Sequence, residues 1–248
     1  MSHNICVGMG QVGTAIYSIL SKTDPDIQTK DKEEKEIKTP IGVMNVCIPY
    51  SNSFEQIVVE YIQRYKPNLV IIHSTVRVGT TRTIQGRTST DCVHSPTVGQ
   101  HNNLEKGLKT FGKWVGSKNK SSSKKAKKYL EQAGLEVEIK TSPEITELAK
   151  LLATTRYGIE IARAQEEARI CRQIGVEFKE VVTDFIKMYN EGYQKLGMDW
   201  VCQSNTTPGY IGGNCVMPNI KILLEQYPNM LFPKAVRESN NIKESELG

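Results

Sequence analysis

The feature that most constrains the fold is a set of three closely spaced glycines near the start of the chain. The first of them ends the short apolar run NICVG, and the last directly precedes the helical pattern TAIYSILSK. In a strand-turn-helix unit, the first glycine permits a tight turn, the second lets the backbone approach a pyrophosphate, and the third lets helix and strand pack closely. The context predicts a dinucleotide site at a helix N-terminus. Its expected residues are Gly8, Met9, Gly10, Gln11, Val12 and Gly13.

An acidic residue about 20 positions farther along usually binds the adenosine ribose of such a cofactor. Asp31 fits this role best, at the end of the expected second strand. Its neighbours Lys30 and Lys32 would instead suit a 2′-phosphate, and the charged stretch IQTKDKEEKE also suits a solvated loop. We expect NAD as the cofactor, with NADP as the alternative.

Strand-like apolar runs recur along the first part of the chain. They occupy residues 4–8, 43–48, 69–73, 91–94, 113–116 and 137–139. Helical patterns lie between several of them, at residues 53–65 and 123–134. Such alternation predicts an α/β fold of the Rossmann type, with a doubly wound, mainly parallel sheet covered on both faces.

The pattern changes after residue 141. Ser-Pro-Glu at residues 142–144 is typical of a helix start, and a helical pattern then runs to Ile174 without proline. Further helices are expected at residues 177–196 and 219–225. We predict a cofactor-binding domain over residues 1–141, followed by a smaller helical domain over residues 142–248. An apolar stripe on the long helix would need a partner surface, which predicts a homodimer.

The composition excludes several other classes of protein. Apolar runs fall well short of the roughly 20 residues that a membrane helix needs, so we expect a cytoplasmic protein without membrane contact. The formal charge is only +5, and no aromatic residue interrupts the basic run at residues 118–128, so nucleic-acid binding is not expected. We read that run as a solvated loop leading into a helix. The six cysteines form no CxxC pair, so we expect no metal site and mostly buried, reduced thiols.

Five ordered sequence blocks point to a family. They are VGMGQVG, VCIPYS, IIHSTVRVGTTR, ELAKLLATT and GYIGGNCVMPNIKILL. With them the chain resembles the UDP-glucose/GDP-mannose dehydrogenase family over almost its whole length. The resemblance implies oxidation of the C6 hydroxyl of a nucleotide sugar to a carboxylate with two NAD, through a cysteine-bound thiohemiacetal and thioester.

The resemblance also implies catalytic roles for particular residues. Cys215 would be the nucleophile, although a lone cysteine is more often an inert buried thiol. Lys150 would stabilise developing oxyanion charge, and Thr75 would help to hold a catalytic water and contact the cofactor. Pro49 and Tyr50 would flank the nicotinamide. Without the resemblance, Lys150 would be read as a solvent-facing helix residue and Thr75 as an ordinary strand-end hydroxyl.

The chain departs from the family pattern at three catalytic positions. Thr97 replaces a glutamate that assists thioester hydrolysis, Thr154 replaces an asparagine, and Asn219 replaces an aspartate. Both carboxylates of the acid/base system are therefore missing, and thioester hydrolysis should be slow. We expect Thr154 and Asn219 to keep hydrogen-bonding roles, and Thr97, Gly212 and Gly213 to contact substrate.

The family's third domain, which supplies much of the nucleotide grip, has no counterpart in these 248 residues. The leading hypothesis is an NAD-dependent oxidoreductase that acts on an alcohol or aldehyde carbon of a sugar-like small molecule. A second hypothesis is a catalytically impaired dinucleotide-binding sensor or partner subunit. A third is a two-domain dehydrogenase of the β-hydroxyacid type, in which Lys150 matters and Cys215 does not.

Overall fold

The computed structural model describes residues 2–33, 35–99 and 103–247. The chain forms two compact units, Met1–Lys150 and Leu151–Gly248. A single long helix, α6 (Pro143–Ile174), begins in the first unit and continues into the second. The domain boundary expected after residue 141 precedes this helix, whereas the first compact unit ends at Lys150.

The first unit alternates strands and helices. Its elements are β1 (His3–Val7), α1 (Gln11–Leu20), β2 (Gln28–Lys30), β3 (Ile41–Val46), α2 (Phe54–Tyr65), β4 (Leu69–Ile72), α3 (Thr80–Thr88), β5 (Cys92–His94), α4 (Leu104–Thr110), β6 (Lys113–Gly116), α5 (Lys120–Gln132) and β7 (Val137–Lys140). The strands form one sheet in the order β2-β1-β3-β4-β5-β6-β7. Every neighbouring pair is parallel except β5 and β6. The predicted α/β fold with a mainly parallel, doubly wound sheet is confirmed.

Buried side chains cover both faces of the sheet, because successive residues of a strand point to opposite faces. On β4, Ile71 packs in a cluster with residues of α1, α4 and α5. Val70 and Ile72 pack in a second cluster, with residues of α2 and α3. Full burial of one such side chain contributes about 1.5–3 kcal/mol, so the two clusters explain why the sheet needs helices on both sides.

Two helices of the first unit have no clear signal in the sequence. Helix α3 is polar, with only Thr80, Thr81 and Ile84 buried, and it begins after Gly79 at φ +97°. Helix α4 is short and contains Gly107, whose backbone packs against Gly99. Tertiary contacts, rather than apolar periodicity, therefore fix both elements.

The basic run at residues 118–128 is more helical than expected. Helix α5 begins at Lys120, where the Asn119 side chain accepts a hydrogen bond from the backbone N–H of Ser121 at 2.9 Å. Asparagine is among the preferred N-cap residues, so the helix starts within the run and only its first residues form a loop. Lys124 and Lys125 lie exposed on this helix.

The second unit is helical, as predicted. After α6, a π-helical segment (Lys179–Asp184) leads directly into α7 (Phe185–Lys195) and a single 3-10 turn (Asp199–Val201). Residues 202–212 form neither helix nor strand. Helices α8 (Val216–Gln226) and α9 (Leu231–Ser245) follow.

The core of the second unit joins α6, α8 and α9. Its buried residues are Ile161, Ala162, Ile211, Val216, Ile220, Leu224 and Val236. Gly158 lets these helices approach, because a Cβ at this position would lie 2.7 Å from Val216 Cγ1. Within the described part of the chain, no helix combines the length and the apolar character needed to cross a bilayer.

Candidate functional site

Most of the predicted site residues of the first unit follow the carboxyl ends of parallel strands. The glycine turn follows β1, Pro49 and Tyr50 follow β3, Thr75 follows β4, and Thr97 follows β5. Because these strands are mutually parallel, their carboxyl ends lie along one edge of the sheet. We call this the carboxyl edge. Ligands of doubly wound sheets bind at such an edge.

The glycine turn has the geometry that its spacing predicts. Gly8 has φ +87°, and its N–H donates to Lys30 O at 2.8 Å. A Cβ on Gly13 would lie 1.7 Å from Gly8 O, so only glycine lets α1 pack this close to the turn. A Cβ on Gly10 would meet no atom within 4 Å, which leaves the space beside its backbone open. The three glycines therefore serve three different purposes.

The N-terminus of α1 can receive an anion. Its N-cap is Gly10, so no side chain caps the helix, and its first turn contains no acidic residue. Gly10 and Gln11 are exposed, while Met9 and Val12 pack against the buried cluster beneath them. The first N–H groups of a helix lack intrahelical acceptors and carry positive partial charge, so this end suits the phosphates of a dinucleotide.

Asp31 directly follows β2 and is exposed. The neighbouring Lys30 is buried, and its Nζ donates to the backbone carbonyl oxygens of Asp31 (2.8 Å) and Glu33. The side chain of Lys30 is therefore held by hydrogen bonds to the local backbone, whereas Asp31 is exposed to solvent next to the glycine turn.

The segments that follow β3 and β4 are joined by a hydrogen bond. Ser74 Oγ donates to Ile48 O at 2.6 Å, so the residue before Pro49 is tied to the residue before Thr75. Pro49 is exposed, and Tyr50 and Thr75 are half-buried. The structure thus brings together the residues expected to flank the nicotinamide and to hold a water.

A buried lysine that the sequence did not reveal lies beside Thr97. Lys113, the first residue of β6, is 2% exposed, and its Nζ donates to Ser95 O at 2.6 Å and Pro96 O at 3.1 Å. The antiparallel direction of β6 places its first residue at the carboxyl edge. Thr97 itself is buried, and its Oγ1 has no hydrogen-bond partner among the described residues. The sequence did contain one sign of this residue, because a lysine stands at the start of an otherwise apolar strand.

Two buried histidines complete this polar layer. His73 Nδ1 donates to Ser95 O at 3.1 Å, and His94 Nε2 donates to Ser74 O at 3.0 Å. His94 Nδ1 accepts from Thr146 Oγ1, on α6, at 2.7 Å. Burial lowers the pKa of His94 to about 3 and holds the pKa of His73 well below its ordinary value. Both rings are therefore neutral at physiological pH.

Burial also changes the ionisation of Lys113. Its pKa falls to about 7, mainly through loss of hydration, and the positive charge of Lys150 lowers it further. Within the described chain no carboxylate forms an ion pair with Lys113. A neutral amine keeps two N–H bonds, which is the number needed to bind the carbonyl groups of Ser95 and Pro96.

The start of α6 carries two further polar residues. Glu147 is fully buried and accepts hydrogen bonds from Gly79 N (2.7 Å), Thr81 N (2.9 Å) and Thr81 Oγ1 (2.6 Å). It therefore caps α3 and fixes the first turns of α6 against the segment that follows Thr75. Lys150 is half-buried one turn later. Its positive charge lowers the pKa of both His94 and Lys113.

The remaining candidates lie in the second unit. Cys215 is half-buried at the N-cap of α8, behind the exposed Gly212 and Gly213. The backbone N–H of Asn219 donates to Cys215 O at 3.2 Å, so the first turn of α8 brings these two residues together. Thr154 is half-buried on α6.

All six cysteines are free thiols. Cys6, Cys47, Cys92 and Cys171 are buried, and Cys202 and Cys215 are half-buried. Burial raises the pKa of Cys92 to about 12 and that of Cys47 well above its ordinary value, so these thiols are unreactive. Across residues 2–33, 35–99 and 103–247, no cluster of three or more His, Cys, Asp or Glu side chains could hold a metal ion.

Comparison with known proteins identifies the class. The chain is 31% identical over 177 residues to a UDP-N-acetyl-D-mannosamine dehydrogenase of Methanococcus maripaludis, a match that covers 70% of this chain and 39% of the relative. No protein-family model matches the chain. The fold is similar to a UDP-D-ManNAc dehydrogenase from Pyrococcus horikoshii, with TM-score 0.78, 17% identity, and coverage of 96% of this chain and 68% of that one. The chain is thus a relative of the nucleotide-sugar dehydrogenases.

Its curated relatives are, more particularly, UDP-N-acetyl-D-mannosamine dehydrogenases, and the resemblance to the UDP-glucose/GDP-mannose dehydrogenase family is confirmed. The chain spans 39% to 53% of the length of these relatives. A 3-hydroxyisobutyrate dehydrogenase from Mycobacterium tuberculosis shares the fold over 99% of this chain and 93% of its own, with TM-score 0.67 and 12% identity.

The buried amine of Lys113 should make stability depend on pH. Unfolded, this lysine binds a proton below its ordinary pKa of 10.5; folded, it does so only below about 7. Between these values the unfolded chain binds more protons, so the free energy of unfolding rises with pH. In Lys113→Met this rise should be shallower, by at most about 1.4 kcal/mol per pH unit. Urea denaturation at several pH values measures it.

The control is Lys128→Met, which removes an exposed lysine from α5. Its slope should match that of the parent protein. Equal slopes for the parent protein and Lys113→Met would show that Lys113 is charged in the folded state across this range.

Proposed function

We propose that this chain is an NAD-dependent oxidoreductase that oxidises an alcohol or aldehyde carbon of a nucleotide-sugar substrate in the cytoplasm. The observation that carries the proposal is the glycine turn, open at Gly10 and closed at Gly13, at the carboxyl edge of a doubly wound sheet. The similarity to UDP-N-acetyl-D-mannosamine dehydrogenases supports the substrate class.

The residues that would hold the cofactor fit NAD. The pyrophosphate would lie at the N-terminus of α1 against Gly10, and Asp31 would bind the adenosine ribose. Lys30 Nζ already donates hydrogen bonds to two backbone carbonyl groups. It is therefore not available to bind the 2′-phosphate of NADP, which supports NAD as the cofactor. When bound, NAD supplies the acceptor for a hydride.

The chemical steps would divide among a few side chains. The Cys215 thiolate would add to an aldehyde carbon, forming a C–S bond and leaving negative charge on the former carbonyl oxygen. Lys150 would stabilise that charge, and Thr75 would hold a water. Asn219 and Thr154 would position these groups by hydrogen bonds, since neither can act as a general base at neutral pH.

The glycine turn provides a paired test of cofactor binding. Gly10→Ala adds a methyl group that meets no protein atom, so the free energy of unfolding should change by less than about 1 kcal/mol. The methyl group would stand where the pyrophosphate approaches, so the Kd for NADH should rise about tenfold or more. NADH fluorescence titration and urea denaturation measure the two quantities.

Gly13→Ala is the matched variant. Its methyl group would lie 1.7 Å from Gly8 O, so this protein should lose about 3 kcal/mol of stability or more. If Gly10→Ala bound NADH as tightly as the parent protein, the glycine turn would not be the cofactor site.

The role of Cys215 is tested by turnover. With UDP-N-acetyl-D-mannosamine or UDP-glucose as the probe, the parent protein should reduce NAD, measured by absorbance of NADH. Cys215→Ser should lower kcat by about 100-fold or more, because a hydroxyl is a far weaker nucleophile than a thiolate. Cys202→Ser, at the other half-buried cysteine, is the control and should retain full activity. Undiminished turnover in Cys215→Ser would exclude the thiol from the mechanism.

Two alternatives have specific support. A dinucleotide-binding sensor or partner subunit is favoured by the neutral Thr97 and Asn219, which leave the acid/base system without carboxylates. NADH binding without turnover on either probe would support it. A β-hydroxyacid-type dehydrogenase is favoured by the fold similarity to the 3-hydroxyisobutyrate dehydrogenase. In that case Lys150→Met should abolish the oxidation of a hydroxyacid while Cys215→Ser leaves it intact.

We also propose that the chain forms a homodimer. Helix α6 exposes several large apolar side chains, which are Ile145, Leu148, Tyr157, Ile170 and Ile174. A partner subunit could cover such exposed apolar side chains, and a symmetric dimer is the commonest arrangement that does so. Light scattering should give twice the chain mass for the parent protein and for the control Ile139→Asp, and a lower mass for Ile170→Asp. A monomeric parent protein would contradict the proposal.

A further inference from the structure

The loop that carries Cys215 is anchored at both of its ends. Ile211 and Val216 are buried in the same core of the second unit, on either side of residues 212–215. Gly212 and Gly213 are exposed and Cys215 is half-buried. The position of the thiol therefore depends on how firmly Ile211 and Val216 are held.

Val216 is held by packing. It lies against Gly158 of α6, where even a Cβ would come within 2.7 Å of its Cγ1. Helix α8 begins at this residue, and its first turn includes the bond from Asn219 N to Cys215 O. The carboxyl end of the loop is thus fixed by the core and by the helix that follows it.

Ile211 is held by a side chain from α9. Asn240 Oδ1 accepts a hydrogen bond from Ile211 N at 2.8 Å, and Asn240 Nδ2 donates to Ile211 O at 3.3 Å. Both backbone groups of Ile211 are satisfied by one amide, which is 3% exposed. Buried paired hydrogen bonds of this kind fix a backbone segment more firmly than apolar contact alone.

A second buried amide extends the anchor to the preceding residues. Gln165 on α6 is 1% exposed, and its Nε2 donates to Gly209 O at 2.8 Å and to Asn240 Oδ1 at 3.4 Å. Its Oε1 accepts from Ser239 Oγ at 2.8 Å, and Ser239 accepts in turn from Arg169 at 2.6 Å. The segment 209–211 is therefore bound to both α6 and α9.

We propose that Asn240, supported by Gln165, is a positioning residue for the Cys215 thiol. It acts through the Ile211 peptide and touches neither substrate nor cofactor. This inference rests on the proposed function in one respect only, namely that the thiol takes part in a reaction. Loss of the Asn240 bonds frees the amino end of the loop, and a displacement of the reacting atom by about 1 Å can cost about 100-fold in rate.

The experiment compares Asn240→Leu with Asn241→Leu in the full chain. Asn241 is the next residue of α9 and is exposed, so the same chemical change is made without touching the loop. Iodoacetamide labelling of native protein is followed by peptide mass spectrometry, and the rate at Cys215 is divided by the rate at Cys202. Cys202 is the internal reference because it is half-buried in the same unit. General loosening of this unit would raise both rates together.

We expect the labelling ratio to rise about fivefold or more in Asn240→Leu, with no change in Asn241→Leu. Oxidation of the nucleotide-sugar probe should show kcat lowered by about 10- to 100-fold and KM for NAD changed by less than about threefold. Asn240→Asp keeps the acceptor for Ile211 N but loses the donor to Ile211 O. It should give a smaller change in the same direction, and it replaces Asn240→Leu should that variant not fold.

The two proposals fail in different ways. A labelling ratio within about twofold of the Asn241→Leu value, in a folded Asn240 variant, would overturn the positioning role whatever the activity. A protein that never reduces NAD but whose labelling ratio responds to Asn240 would refute the dehydrogenase and leave the anchor in place.

Discussion

The first unit depends on the absence of a side chain at residue 13. Helix α1 lies so close to the turn after β1 that a Cβ on Gly13 would overlap Gly8 O at 1.7 Å. This closeness brings the helix N-terminus to the carboxyl edge, and the proposed anion site and the packing of α1 on the sheet both depend on it. A methyl group at this position would therefore affect folding and binding together, whereas one at Gly10 separates them.

The carboxyl edge is supported by polar groups that are buried and paired. Lys113, His73 and His94 bind the backbone where β4 and β5 end, and Glu147 ties α6 to α3. One reversal of strand direction makes this possible, because a parallel β6 would begin at the opposite edge. Burial keeps both rings neutral and moves the lysine towards neutrality, so the layer carries little fixed charge.

Much of this fold could be predicted from local signals. The glycine spacing after NICVG, the apolar strands and the long pattern ending at Ile174 each report a strong local preference, and the structure agrees with them. Helix α3 could not be predicted, since the group that caps it is Glu147, which is remote in sequence. The roles of Lys113 and Asn240 could not be predicted for the same reason. The hydrogen-bond partners of a lysine in a strand or an asparagine in a helix are known only once the chain is folded. The joint action of Lys150 and Cys215 on one substrate stays a prediction.

The cysteine loop depends on a helix that follows it in the sequence. Asn240 lies downstream of the loop that it fastens. A nascent chain that has left the ribosome only as far as α8 therefore already contains Cys215. It still lacks Asn240 and the two hydrogen bonds that hold Ile211. Synthesis of α9 must be complete before the loop acquires its final shape, so reactivity at this cysteine would mature late in synthesis.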